Sequence, residues 1–260
     1  MLMDIDEDNI DSLYSQVLKW WEEEKLPENM AHAVTASLYK KGNPNQQENY
    51  RPISLLNSFY KLIASALQRK IAQLVDYSLQ KTQFGFRKGK STSHALLTIR
   101  RIQDYVEKTG AESHILLLDW EKAFDKIDQQ MLIEALRFQN LPPKHTKLVE
   151  ALYADPTFRV NIEGKQSPDY KQETGIRQGC PLSPYLFILC MDAIFTLIQE
   201  ELDGLPNIQG IKGLNLDFNN LLYADDTLII AGNKHSAEAI LHRVEKYSGA
   251  FGLNLNRGKC

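Results

Sequence analysis

With 260 residues, 43% of them hydrophobic and 24% charged, the chain can bury a substantial core, which excludes a disordered protein and a disulfide-dependent miniprotein. The formal net charge of −3 is unevenly spread: residues 1–28 hold nine acids against Lys19 and Lys25, so the other 232 residues carry 28 basic and 24 acidic groups. Three cysteines, Cys180, Cys190 and Cys260, without a CxxC spacing, argue against a disulfide framework or a structural zinc site and for a reducing, intracellular setting.

Along the chain, Ile10, Leu13, Tyr14, Val17, Leu18 and Trp21 recur at helical spacing. They predict an amphipathic helix with acids on its free face, broken at LPEN. VTASLYKK (34–41) and YRPISLL (50–56) read as strands joined by GNPNQQEN, and Asn57 can cap a helix over 58–77. The stretch 81–101 has six basic residues and no acid, either a phosphate-facing surface or a solvated charged face. A helix is expected from about Thr92 to Glu107, then an apolar strand, HILLLD (114–119), that ends in a carboxylate. Asp128 can cap a helix ending near Pro142 and Pro143, and FRVNIEG with DYKQETG reads as a hairpin. The loop GIRQGCPLSP leads into the most apolar helix, 185–198, which includes Asp192 and at fourteen residues is too short for a bilayer needing about 20. LNLDFNN leads into LLYADDTLII (221–230), followed by a helix at about 236–250 and a last strand at LNLN. There is no internal repeat or low-complexity linker. The order of elements is that of a ferredoxin-like α+β sandwich, with its antiparallel sheet packed on helices, behind a mostly helical region.

Two acidic sites interrupt apolar runs: Asp119 ends one strand, and Asp225 with Asp226 lies within another. A buried pair of carboxylates is costly, and a tight turn at YADD would bring both to the end of the strands. If the two strands are neighbours, three carboxylates converge, and they repel unless a cation neutralises them. Oxygen-only ligands suit Mg²⁺, and a pair of such ions suits displacement at phosphorus. A polar hairpin turn without metal is the alternative that spacing alone leaves open.

Six segments in one order carry a resemblance: NYRPISLLN (49–57), QFGFRKGKST (83–92), LLLDWEKAFDKI (116–127), GIRQGCPLSPYLF (175–187), YADDTLII (223–230) and GLNLNRGKC (252–260). From about Ala33 to Lys259 the chain resembles the reverse transcriptases of non-LTR (LINE-type) retrotransposons. That resemblance implies a right-hand polymerase with an acidic helical extension over 1–28, fingers over 29–113 and a palm over 114–260. The hairpin near 157–175 would lie between fingers and palm, the chain would stop within motif D, and the thumb would be absent. It implies RNA-directed DNA synthesis on an RNA template, from a DNA primer and dNTPs, away from any membrane and beside other parts of a retroelement polyprotein.

Carried onto single residues, the resemblance makes Asp119, Asp225 and Asp226 the holders of two Mg²⁺ ions, with Mn²⁺ as a substitute; Asp226 is the one that serves more to shape the site. Lys259 would protonate the leaving pyrophosphate. Phe124 falls at the steric gate against a ribose 2′-hydroxyl, with a purely core aromatic as its plainer reading. Arg51 and Lys61 would meet the triphosphate, Arg87 the template or nucleotide, and Gln178 with Gly179 the nucleotide and template base. Rival readings are a nucleic-acid-binding remnant without synthesis and another palm-fold enzyme, an RNA-dependent RNA polymerase or nucleotide cyclase.

Overall fold

The computed structural model describes residues 7–25, 27, 30–162, 164–205, 208–216 and 218–260. Asp4, Asp6 and most of the break expected at LPEN lie outside the described residues. In chain order the elements are α1 (Glu7–Glu23), β1 (His32–Tyr39), β2 (Tyr50–Leu56), α2 (Ser58–Val75), α3 (Thr92–Thr109) and β3 (His114–Leu118). There follow α4 (Ala123–Lys126), α5 (Gln129–Phe138), α6 (Pro143–Tyr153), β4 (Thr157–Ile162), β5 (Lys165–Gln166) and β6 (Tyr170–Lys171). The chain continues through α7 (Ser183–Asp203), β7 (Asn220–Tyr223), β8 (Asp226–Ala231) and α8 (Lys234–Ala250). They form an α+β protein in two compact units.

The first unit comprises Met1–Ile71, Leu141–Glu173 and Arg177–Leu182. Its mixed sheet places β1 between β2, antiparallel with Tyr39 opposite Tyr50, and β4, parallel with His32 opposite Thr157. The expected hairpin is split. Its tight end pairs Ile162 with Lys165, and its open end pairs Phe158 with Tyr170. The cap expected at Asn57 is present, its Oδ1 accepting from Phe59 N at 2.7 Å. The helix α6 is an addition to the sequence reading. Pro143 opens it without losing a needed hydrogen bond, and Leu148, Val149 and Leu152 form its buried stripe.

The apolar stripe expected of α1 does not become a buried face: Ile10, Tyr14 and Leu18 are exposed, and Trp20 is the residue that inserts. The C-terminal end of α1 is fastened by the buried Trp20, by Trp21 edge-on to His145 at 5.4 Å and, just beyond the helix, by Glu24 with Lys147 at 3.1 Å. A helical stripe marks which side chains share a face; it does not supply the surface that covers them.

The second unit comprises Ala72–Asn140, Thr174–Ile176 and Ser183–Cys260. Its sheet is antiparallel, in the order β3–β8–β7. The helix α7 is buried over almost its whole circumference, which is why it reads as a continuous apolar run; each fully buried Leu or Ile contributes about 1.5–3 kcal/mol. α8 also packs on β8 and β3, while Ile102 of α3 joins Leu221, Leu228 and Ile230 in a separate apolar cluster. The fourth strand expected at LNLN shrinks to one bridge, Trp120 with Leu255, flanked by Glu121 N donating to Asn254 O and Asn256 N donating to Asp119 O. The ferredoxin-like pattern is thus three strands and a bridged tail.

Asp192, 2% exposed within α7, is satisfied on both oxygens: Oδ1 accepts from Gln80 N at 2.7 Å and Oδ2 from Gln139 Nε2 at 2.6 Å. Burial nevertheless raises its pKa above the usual carboxylate range, with these two hydrogen bonds opposing the rise. Between the unfolded and the folded value, the folded protein therefore holds a proton that the unfolded chain has released. The contribution of Asp192 is fully present below the unfolded carboxylate value and is lost as pH rises through the folded value. Asp192→Asn keeps an acceptor and removes the charge, and the Gln139 amide can turn to match it. In urea titrations across mildly acidic to neutral pH, the variant is expected to flatten this decline relative to the parent; an identical pH slope would contradict the assignment.

Candidate active site

Strand register brings the acids together. Leu118 pairs with Thr227 and Tyr223 with Asp226, so Asp119, one residue beyond β3, comes level with Asp226. Ala224 and Asp225 form the two-residue turn between β7 and β8. Both turn aspartates are exposed, so the strands stay apolar and neither carboxylate enters the core. A groove of about 410 Å³ collects Asp119, Tyr223, Asp226 and Lys259 beside Leu96 and Leu117. Asp225 belongs to the turn but does not line this groove.

Tight hairpins favour turn residues that tolerate positive φ, usually Gly or Asn. Ala224 has φ 58°, a left-handed conformation costing roughly 1–2 kcal/mol for a residue with a Cβ. Thr227 supports the turn from the strand side. Its hydroxyl accepts from the buried Trp120 Nε1 at 3.0 Å and donates to Asp225 O at 3.2 Å. Trp120, next to Asp119, thereby links the two acidic sites through one hydroxyl. Sequence reasoning passed over both residues, because nothing in an apolar strand marks which Thr or Trp will bond across it.

Lys259 Nζ lies 3.7 Å from Asp119 Oδ2, and both groups are partly exposed, so the pair is weak. The ammonium stands where a cation would be favoured. Among the described residues no three His, Cys, Asp or Glu side chains form a group that could hold a metal ion. The donor set nonetheless fits magnesium, which is commonly held by one or two carboxylates together with substrate phosphates rather than by an all-protein cage.

Phe124 is half-buried, with its ring stacked on the core residue Phe187 at 4.7 Å and 16° between planes. Its carbonyl accepts from Ile176 N at 2.7 Å, and a Cβ on Gly175 would lie 2.6 Å from Asp125 O, so the neighbouring loop permits little movement. Arg87 departs from the contact expected of it. Its side chain is 6% exposed and turns inward: Nε meets Asp76 Oδ1 at 3.1 Å, Nη1 meets Gln80 O at 2.7 Å, and Nη2 donates to Asp76 O at 2.5 Å. All three nitrogens brace the basic loop from within. Lys90 is partly withdrawn too: burial, and then Arg87, lower its pKa. Lys81, Lys88, Arg100 and Arg101 remain exposed as the charged face of 81–101.

The other expected residues lie in the first unit. Arg51 on β2 and Lys61 on α2 are exposed, and Gln178 is half-buried. Gln178 O accepts from Ser54 N at 2.7 Å, and a Cβ on Gly179, whose φ is 112°, would lie 2.7 Å from Ser54 O. Glycine at 179 lets this loop lie directly against β2. Between them and Gly175, Arg177 is 1% exposed, donating to Ala31 O and to Gln172 Oε1 and lying over the Tyr60 ring at 5.5 Å. It gave no signal in the sequence, since a buried arginine looks like any other cation there.

Residues 39–260 match the family model described as reverse transcriptase (RNA-dependent DNA polymerase). The chain belongs to this family. Relatives of the domain include the transposon TX1 uncharacterized 149 kDa protein of Xenopus laevis, 29% identical across 90% of this chain and 18% of that protein. The Pol polyprotein of the type-2 retrotransposable element R2DM of Drosophila melanogaster is 24% identical across 90% of this chain and 21% of its own length. The RNA-directed DNA polymerase from the Drosophila mobile element jockey is 26% identical, across 90% and 25%. The chain spans about a quarter or less of the length of these relatives. In fold it resembles apo telomerase from Candida tropicalis truncated from its C-terminal domain, with a TM-score of 0.64 and 17% identity over 94% of this chain and 53% of that one. Among the described residues no helix is long and apolar enough to cross a membrane.

The inward Arg87 separates a brace from a ligand. Arg87→Ala is expected to lower stability by about 2–3 kcal/mol in urea titration, the loss for a mostly buried pair discounted for the exposure of Asp76. Unchanged stability with a raised dNTP KM would return Arg87 to the nucleotide.

Proposed function

We propose that this reverse transcriptase domain extends a primer 3′-hydroxyl with dNTPs on an RNA template, as the polymerising part of a longer retroelement protein. The register that carries Asp119 level with Asp226, with Asp225 in the adjoining turn, is the observation that supports this reading. Residues 29–113 would serve as fingers and 114–260 as palm, with the acidic segment 1–28 outside both. When bound, two magnesium ions (or manganese in their place) would supply Lewis acidity toward the attacking hydroxyl and the triphosphate.

The chain's own residues supply the rest. Asp225 and Asp226 would present carboxylate oxygens from the hairpin tip, and Asp119 from the end of β3. Lys259, held to Asp119 only by a weak, partly exposed pair, would donate a proton from its ammonium to departing pyrophosphate. Arg51 and Lys61 keep exposed cations for phosphate oxygens, and the Gln178–Gly179 segment offers a backbone held against β2 for the nucleotide and its template base. Phe124 presents an edge that its stack on Phe187 immobilises. A ribose 2′-hydroxyl against that ring would be crowded and would lack a hydrogen-bond partner.

Primer extension on an RNA template with dNTPs and Mg²⁺ tests the assignment. Replacing both Asp225 and Asp226 with Ala is expected to reduce extension on the order of a thousandfold. Extension equal to the parent would remove the metal role, and template binding without extension by the parent itself would favour the non-synthesising remnant. A second comparison supplies rNTPs to Phe124→Val. Discrimination against ribonucleotides is expected to fall by roughly tenfold to a hundredfold, whereas unchanged discrimination would leave Phe124 a packing residue.

A further inference from the structure

Gln83 is fully buried, yet it lies in the basic loop rather than in a strand or helix. Its Oε1 accepts two backbone hydrogen bonds, from Gly85 N at 2.9 Å and from Ala224 N at 3.1 Å. Ala224 is the left-handed residue of the acidic turn. The flanking backbone completes the attachment: Leu222 N donates to Thr82 O at 2.9 Å, and Phe84 N donates to Leu222 O at 2.8 Å. Gln83 and Leu222 form a parallel bridge, so the loop adds a short rung beside β7. A Cβ on Gly85 would sit 2.3 Å from Ala224 N, so the contact exists only because residue 85 has no side chain.

The buried amide is expensive to keep, since its Nε2 has no hydrogen-bond partner among the described residues. A loop that needed only to be folded over the sheet already has the two backbone bonds to Leu222. The side-chain oxygen does something they do not: it holds the N–H of Ala224, the residue before Asp225. From these contacts we infer that Gln83 is a positioning residue for the catalytic carboxylates, holding the Ala224 peptide so that Asp225 and Asp226 keep a fixed direction. It touches no substrate and acts through the turn. The inference rests on the proposed metal role of that turn.

Two variants isolate the oxygen. Gln83→Met keeps the length of the side chain and removes the acceptor, while Gln83→Glu keeps an acceptor oxygen whether or not the acid is protonated. Amide hydrogen exchange resolved by residue reads the clamp directly, and calorimetric titration with Mn²⁺ alone reads its consequence. In Gln83→Met the Ala224 and Gly85 amides are expected to exchange about tenfold faster, the loss of roughly one hydrogen bond. The Phe84 and Leu222 amides should keep parental protection, which shows that the loop is still folded in place. Mn²⁺ affinity should fall several-fold in Gln83→Met and return toward the parent in Gln83→Glu. Parental exchange at Ala224, parental Mn²⁺ affinity in Gln83→Met, or no recovery in Gln83→Glu would each overturn the inference. The variant with Ala at both 225 and 226 separates the two claims. If it binds Mn²⁺ as the parent does, the metal reading of the turn fails, while the exchange rates still judge the clamp.

Discussion

Two adjacent carboxylates at the tip of a hairpin stay out of the core only if the turn exposes them, and keep one direction only if something holds the turn. Exposure comes from the two-residue turn, which ends β7 at Tyr223 and begins β8 at Asp226. Fixity has to come from outside the turn, because a short hairpin is weakly held on its own and Ala224 adds a left-handed backbone to its cost. The antiparallel register of β3 with β8 supplies the first part by bringing Asp119 to the same level. A shift of that register by one residue would send Asp119 to the opposite face.

The neighbouring side chains are arranged around that requirement. Trp120 and Thr227 tie the Asp225 carbonyl to the strand that carries Asp119. Gln83 holds the Ala224 amide from the loop side. Arg87, bound to Asp76 and to the carbonyls of Gln80 and Gln83, keeps the loop that carries Gln83 in shape. Tyr185 of α7 donates to the same Asp76 at 3.0 Å, and Asp192 one helical stretch further receives the Gln80 amide. The core helix thus supports the loop, the loop supports the turn, and the turn carries the acids.

The apolar runs, the turn at YADD and most of the strands and helices, α6 excepted, were legible in the sequence because each depends on local pattern. That Asp119 comes level with Asp226 was legible too, since two strands ending in acids have few ways to pair, whereas Asp225 sits in the turn outside the groove. Less legible was anything set by tertiary contact. The α1 stripe looked like a buried face but leaves Ile10, Tyr14 and Leu18 exposed, and the last strand at LNLN is reduced to a bridge at Leu255. The resemblance gave Arg87 a contact with template or nucleotide, while its partner in the fold, Asp76, is separated from it by a turn and leaves no mark in the sequence. Gln83 and Arg177 gave no warning at all: a buried polar side chain is recognised by the backbone it meets, and that backbone belongs to distant residues.

The most direct measurement is a crystal structure of the full-length chain grown with Mn²⁺ and a dNTP, using the anomalous signal of manganese. The expected result is manganese bound by Asp119 and by Asp225 or Asp226, with Lys259 displaced from Asp119 and Gln83 still bonded to Ala224. Manganese found only away from the hairpin tip, with the Lys259–Asp119 pair intact, would contradict the account.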